Sequence, residues 1–216
     1  MLSKGDLVFD VGANIGEYCE IFVELGARVV AIEPNPALAA KLRQLRPFSR
    51  IFVEEAAVGA SEGAADLYLS NHDALSSLST EWISMANQTP RLAAVGWKST
   101  VQVRVTTLDA LAKVYGRPKF IKVDVEGFEK EALAGLTVAP SILSFEFISE
   151  FSKKIDECLQ QKCFDGSFEF NIAWERSTKL SLETWVSKTD ILSIVSKPDF
   201  ARRETYGDIY ARPKAR

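Results

Sequence analysis

The segment Leu7-Val8-Phe9-Asp10-Val11-Gly12-Ala13-Asn14-Ile15-Gly16 is the strongest constraint on how this chain can fold. A run that is apolar except for Asp10 suits a buried strand and leads directly into a turn bounded by glycines. Apolar side chains then recur at Ile15, Cys19, Phe22 and Leu25, the three-and-four spacing of a helix face. Gly26 stands where a left-handed C-cap would close that helix. The same order repeats at once. Arg28 to Ile32 is β-branched and apolar, and Asn35-Pro36 supplies an N-cap and a first-turn proline. Leu38, Leu42 and Leu45 then mark a helix face before Pro47, and Ile51-Phe52-Val53 opens a third strand running toward Gly59. Continuous apolar strands alternating with short helices imply an α/β fold, a mostly parallel sheet with helices on both faces.

The alternation breaks after Gly59. Asp66 to Ser70 and Thr100 to Thr106 place apolar residues at every second position, as half-buried and possibly antiparallel strands do. Between them lie about thirty residues holding His72, Ser76, Ser77, Trp82 and Trp97, more than a compact loop needs, so an insertion or lid is expected at about 70–100. Strand and helix signals then resume. Thr107 can cap a helix through Val114, with Gly116 and Pro118 ending it, and Phe120 to Val123 is a strand that delivers Asp124 at its end. Gly127 to Leu133 reads as a helix closed by Gly135, and Ser141 to Phe147 as another buried strand. The remainder is expected to form a helix near 152–161, a strand near 168–173, a helix around 182–186 and a last strand at 206–211. No repeat or linker divides the chain, so one domain over 1–216 is expected.

The 26 Lys and Arg against 29 Asp and Glu leave a net charge of −3, which offers no electrostatic footprint for nucleic acid or an anionic membrane. The basic residues Arg212, Lys214 and Arg216 read as a solvated tail. Cys19, Cys158 and Cys163 fit neither a disulfide framework nor a zinc site, which suggests a reducing compartment. The uncharged stretch from Ala132 to Phe145 is too short for a bilayer span, which takes about 20 residues. The N-terminus lacks the basic and apolar regions of a secretory leader. A cytoplasmic protein without an anchor is the expectation.

Glycines between a strand and a helix let backbone amides approach a ligand. A nicotinamide-dinucleotide turn would carry glycines at positions 12, 14 and 17. Here those positions hold Gly12, Asn14 and Glu17, and a carboxylate at the helix start would repel a pyrophosphate. An NAD-dependent oxidoreductase is therefore disfavoured. S-adenosyl-methionine has no phosphate, carries an ammonium and a sulfonium, and tolerates acids. Asp10, at the carboxyl end of the first strand, and Glu33, at the end of the second, are expected to face one crevice with the loop, Glu33 accepting from ribose hydroxyls.

Asp10-Val-Gly-Ala-Asn-Ile-Gly16, Glu33-Pro-Asn-Pro36, Ala57-Val-Gly59, Thr106-Thr-Leu-Asp109 and Ile121-Lys-Val-Asp-Val-Glu-Gly-Phe-Glu129 together resemble, in order, the motif set of the FkbM family of S-adenosyl-methionine-dependent methyltransferases, over roughly 5–150. Many relatives carry segments ahead of the first strand that help cover the substrate site, and Glu55 stands where an amide is common. The resemblance implies a class I methyltransferase (Rossmann-like) fold, a seven-stranded, mostly parallel sheet ending in an antiparallel hairpin. It also implies O-methylation of a hydroxyl on a small molecule, a sugar or natural product. Cofactor contacts are expected from Asp10, Gly12, Asn14, Gly16, Glu33, Asn35, Ala57 and Asp124.

Methyl transfer is an in-line displacement that depends on positioning, and an alcohol acceptor benefits from a base. Asp124 is expected beside the transferring methyl, with Glu126, Glu129 and Glu146 able to share the cavity and raise one another's pKa. Glu126 and Glu129 can equally serve as first-turn acids on a helix dipole. The catalytic candidates are Asp124, Glu146 and His72, the single histidine, whose near-neutral pKa suits proton abstraction. Asp124 with Glu126 could hold Mg²⁺, but nothing in the sequence supplies three oxygen ligands, so no metal is expected. Trp82 and Trp97 either stack on the acceptor or pack the insertion onto the sheet, while Trp174 and Trp185 read as core or oligomer contacts, a homodimer being one such assembly. The alternative to an enzyme is a catalytically silent, cofactor-binding partner subunit or sensor.

Overall fold

A computed structural model describes residues 2–45 and 50–214; Pro47 and Arg216, named above as a helix stop and part of a basic tail, lie outside the described residues. The strand β1 (Leu7–Val11) leads through the glycine turn to α1 (Glu17–Glu24), then β2 (Arg28–Ile32), α2 (Pro36–Leu42) and β3 (Ile51–Glu54). After a second group of strands come α4 (Leu108–Tyr115), β7 (Phe120–Val123), α5 (Glu129–Ala134), β8 (Ile142–Ile148), α6 (Lys153–Leu159), β9 (Phe168–Trp174), α7 (Lys188–Val195), α8 (Pro198–Ala201) and β10 (Tyr206–Pro213). The main sheet has seven strands in the order β3-β2-β1-β7-β8-β10-β9. Its first five strands pair in parallel, and β10 runs antiparallel between β8 and β9. This is the seven-stranded class I architecture expected from the sequence.

The continuous apolar strands are buried because helices cover both faces. Leu108, Leu111, Leu133, Ile155, Leu159, Ile191 and Val195 pack with Phe9, Ile121, Phe145 and Phe170 on one side. On the other, Cys19, Phe22, Val23 and Leu42 meet Val8, Val29, Ala31 and Phe120. Asn35 caps α2 by accepting from the Ala37 N–H at 3.0 Å, and Thr107 caps α4 through Ala110 at 3.0 Å, as their positions suggested. Gly26 adopts φ +90° behind α1, matching its expected cap role.

Three expectations need correction. Ile15 and Leu25 are exposed rather than part of the face of α1, which begins only at Glu17. The third strand does not run on to Gly59. It ends at Glu54, and Ala57–Val58 forms β4 in a second sheet of order β4-β6-β5, with β5 (Gly63–Ser70) antiparallel to β6 (Trp97–Thr106). The segment between β5 and β6 carries a helix of its own, α3 (Thr80–Gln88), which Ser79 caps through the Trp82 N–H. Finally, residues 182–186 are not helical. Val186 exchanges both backbone hydrogen bonds with Phe170, at 2.8 and 2.9 Å, and the helix starts only after a Ser187/Asp190 capping box.

Trp82 is buried and meets Trp97 edge-to-face at 5.7 Å between centroids, while the Trp97 indole N–H donates to the Leu75 carbonyl at 2.8 Å. The two indoles therefore pack the segment against the rest of the chain. Trp174 sits against Phe147 and Phe200, the contact with the core anticipated for it.

Gly12 holds the architecture at its centre. It has φ +82°, and a Cβ there would lie 1.7 Å from the Asp124 carbonyl oxygen at the end of the neighbouring strand β7. Gly12→Ala should therefore destabilise the chain by at least about 1–3 kcal/mol, because the left-handed conformation and the backbone clash both oppose a methyl group. Chemical denaturation measures this, and an unchanged midpoint would contradict the packing described.

Candidate active site

The carboxyl ends of β1, β2, β7 and β8 and the amino end of the antiparallel β10 open into a cavity of about 850 Å³, within the range of small-molecule sites. Its floor is the turn after β1. Asn14 adopts φ +50°, which aims its backbone N–H at Glu33 Oε2 at 2.9 Å, while the Asn35 N–H donates to Oε1 at 2.8 Å. Glu33 is thus locked in place by two amides and still has lone pairs free on both oxygens. Burial raises its pKa to about 7, with the two amide hydrogen bonds opposing the shift.

Gly12, Asn14, Glu33, Ala57 and Asp124 all line this cavity. Asp10, Gly16 and Asn35 do not, and here the expected shared crevice needs correction. Asp10 is almost fully buried beneath the turn and accepts a hydrogen bond from the Cys19 thiol at 3.1 Å. Gly16 makes room for Leu45 and Leu42, whose side chains would meet a Cβ at 2.2 and 2.9 Å. The Asn35 side chain is taken up by its cap, so this residue reaches the site only through the amide that holds Glu33. Glu17 does line the cavity, but it is paired with Arg176 at 2.9 Å, so the repulsion it would exert on a phosphate is reduced by an exposed ion pair. Glu55 pairs with Arg43 at 2.8 Å, away from the cavity.

The opposite wall is acidic. Asp124 leaves β7 beside Lys122, whose buried ammonium donates to Asp124 Oδ2 at 2.5 Å and lies 4.4 Å from the centroid of the Tyr18 ring. Burial on its own would lower the Lys122 pKa, yet Asp124, Asp208, Asp10 and Glu146 together raise it. Asp124, Glu126 and Glu146 each offer a carboxylate oxygen within 4.8 Å of the others. Burial, and then the charge of Asp124, hold Glu126 and Glu146 well above the usual carboxylate range. Glu129 stands apart: its Oε1 accepts from the Val125 and Gly127 amides, both at 3.1 Å, so it shapes the turn instead of lining the cavity. Glu126 sits at φ +52° in that turn, and its carbonyl accepts from Ser77 Oγ at 2.6 Å, which ties the segment between β5 and β6 to the acidic wall.

His72 is exposed at the cavity's edge, on the side formed by that segment. Asp208 was not singled out from the sequence. It is buried on β10 directly opposite Glu146, lines the cavity, and is raised by burial to about 6. An acid within the otherwise apolar and aromatic run Tyr206-Gly-Asp-Ile-Tyr-Ala211 was the available signal. Lys122 and Arg91 were also missed; Arg91 lines the cavity and is held by Glu150 through two contacts of 2.7 and 3.2 Å.

The FkbM methyltransferase domain model matches residues 10–165, the stretch that builds the turn, the acidic wall and the sheet between them. This chain belongs to the FkbM methyltransferase family. Among solved structures, an FkbM methyltransferase from Methylobacillus flagellatus superposes with a TM-score of 0.53 at 17% identity, covering 97% of this chain and 44% of that one. The chain thus spans less than half of that relative. A TehB-like S-adenosyl-methionine-dependent methyltransferase from Corynebacterium glutamicum gives a TM-score of 0.51 at 12% identity, covering 99% and 83%. These likenesses show the fold. No curated protein sequence matches the chain. S-adenosyl-methionine is the cofactor named for the second of these structures. The residues present suit it, since Glu33 offers paired acceptors for a diol at one end and carboxylates face a cationic group at the other.

Several buried acids keep their protons more tightly in the folded chain than in the unfolded one. The folded FkbM domain therefore binds more protons between about pH 4.5 and pH 7, the interval set by Glu33 and Glu129. Stability should fall as pH rises through that interval, and Glu126 and Glu146, raised well above the usual carboxylate range, extend the fall beyond it. Glu150, shifted downward by Arg91 despite its partial burial, acts below the interval. Urea midpoints at pH 5 and 7.5 provide the check. Asp208→Asn should flatten the portion up to about pH 6, and a midpoint that rises with pH would contradict these environments.

Proposed function

We propose that this FkbM domain is a methyltransferase that O-methylates a hydroxyl on a small molecule, a sugar or natural product. The observation that carries the reading is the joining of the Gly12–Asn14–Glu33 turn and the Asp124–Glu126–Glu146 wall in one cavity. When bound, S-adenosyl-methionine would supply a methyl group activated by its sulfonium, the acceptor oxygen taking the methyl and S-adenosyl-homocysteine being the leaving group.

Glu33 would hold the ribose, and Gly12 and Asn14 would line the amino-acid portion. Asp124, paired with Lys122, sits by the reacting centre as a positioning group. Glu146 and Glu126 carry the raised pKa suited to a base, and the acceptor's proton goes to one of them. His72 stands at the edge, where it can relay that proton outward. The net acidity of the chain and of the wall favours a small acceptor over nucleic acid. Three free, buried cysteines fit a reducing compartment such as the cytoplasm. Among the described residues no helix is long and apolar enough to cross a membrane.

Calorimetric titration with S-adenosyl-homocysteine tests the cofactor half of the reading. Glu33→Ala should weaken binding by about 1–3 kcal/mol, the cost of leaving its donors unpaired. Transfer of a labelled methyl group to a panel of sugars and hydroxylated metabolites tests the acceptor half. Tight NAD binding with no binding of S-adenosyl-homocysteine would overturn the reading, and an unchanged affinity in Glu33→Ala would remove Glu33 from the ribose site.

A further inference from the structure

The seven-stranded sheet ends differently on its two sides. On the β9 side the chain closes its own edge: Val186 exchanges both backbone hydrogen bonds with Phe170, the Ser181 N–H donates to the Ile172 carbonyl at 2.7 Å, and the Asn171 side chain holds Leu182. On the other side stands β3 (Ile51–Glu54), and among the described residues no strand lies beyond it. In its parallel pairing with β2, the Glu33 N–H donates to the Glu54 carbonyl at 3.0 Å, so Glu54 and, two residues earlier, Phe52 turn their backbone groups toward β2. Ile51 and Val53 therefore point theirs outward, and no backbone partner for them occurs among the described residues. Unpaired N–H and C=O groups along an apolar strand are a template for another strand. Phe52 is 40% exposed although the Tyr115 ring lies 5.9 Å away, centroid to centroid. None of Ile51 to Glu54 lines the large cavity, so the candidate active site does not account for that exposure.

The edge is complementary to itself. In an antiparallel pair, residues set opposite each other share a face of the sheet and alternate between hydrogen-bonded and non-hydrogen-bonded positions. A second copy related by a two-fold axis at Phe52 places Ile51 opposite Val53 twice, in the hydrogen-bonded positions that their outward amides require. Phe52 then meets Phe52 of the second copy in the closer, non-hydrogen-bonded position. Arg50, just ahead of the strand, faces Glu54 of the second copy, and this contact too occurs twice. Glu54 accepts from Arg104 and from the Tyr115 hydroxyl, both at 2.6 Å, and keeps lone pairs for a third donor. Moving the axis to Val53 or to Ile51 would set Phe52 against Glu54 or against Arg50. Charge and apolarity therefore select the same register.

We infer that β3 pairs antiparallel with β3 of a second copy of this chain, about a two-fold axis at Phe52, making one continuous sheet across a homodimer. The inference does not rest on methyl transfer, because association is observed without cofactor or acceptor.

Phe52→Cys tests the register directly. Cα atoms in a non-hydrogen-bonded pair lie about 4.5 Å apart, which a disulfide can bridge, whereas Cys19, Cys158 and Cys163 are buried and do not compete. Under oxidised glutathione this variant should become a covalent dimer, seen at twice the chain mass on non-reducing gels and reversed by reduction. Ile21→Cys, at an exposed position on α1, should stay a monomer on the same gels. Sedimentation equilibrium of the wild type should show a dimer. Phe52→Lys, which sets two ammoniums against each other, should weaken it roughly tenfold or more, while Phe52→Tyr preserves it. Circular dichroism of each variant reports that the fold is kept. A wild type that stays monomeric at about 100 μM, where even a micromolar dimer is populated, would overturn the inference. So would a dimer that Phe52→Lys leaves unchanged, or cross-linking no faster in Phe52→Cys than in Ile21→Cys.

Discussion

The buried ammonium of Lys122 is the interaction on which the polar half of this structure depends. It stands on the face of the sheet that also carries Asp10 in its register partner on β1 and Ser144 in its partner on β8, with Asp124 two residues beyond. Burying a lysine is costly, and only the surrounding carboxylates make it tolerable. The dependence runs both ways, since those carboxylates would otherwise be buried with little compensation. Tyr18, from α1, adds the electron-rich face of its ring. One cation thus lets four acids gather at the carboxyl end of a sheet whose remaining faces are almost wholly apolar.

The cavity follows from that arrangement and from the strand order. Placing β7 beside β1 brings the Asp124 backbone against Gly12, and the Asp124 N–H donates to the Val11 carbonyl at 2.9 Å. The glycine turn and the acidic wall are therefore hydrogen-bonded to each other. Glu33 is set independently, by amides on either side of it. The segment carrying His72 and α3 closes the acidic side, anchored by Ser77 on the Glu126 carbonyl and by the Trp82–Trp97 contact.

Much of this was legible where the chemistry is local. The turn from β1 to α1, the cap at Asn35 and the placing of Glu33 and Asp124 at strand ends all follow from short stretches of chain. Asp10 shows the limit of that reasoning: a strand-end acid was read as facing the crevice, yet side-chain alternation and the proximity of Cys19 turn it into the interior. Glu146 and Asp208 belong to strands far apart in sequence, and only the antiparallel insertion of β10 beside β8 sets them opposite each other. The stretch 182–186 misled for a different reason. Its Val186 takes up a backbone pairing with Phe170, which no local periodicity reveals, while the true helix was announced by the Ser187/Asp190 box.

Lys122→Met tests most directly whether this single cation sustains the acidic wall. Stability at pH 7.5 should fall by about 3–5 kcal/mol, the usual cost of breaking a buried charge pair. The loss should shrink at pH 5, where Asp208 and its neighbouring acids take up protons and no longer need the ammonium. A variant within about 0.5 kcal/mol of wild type at pH 7.5, or one whose deficit is the same at both pH values, would contradict that role for Lys122.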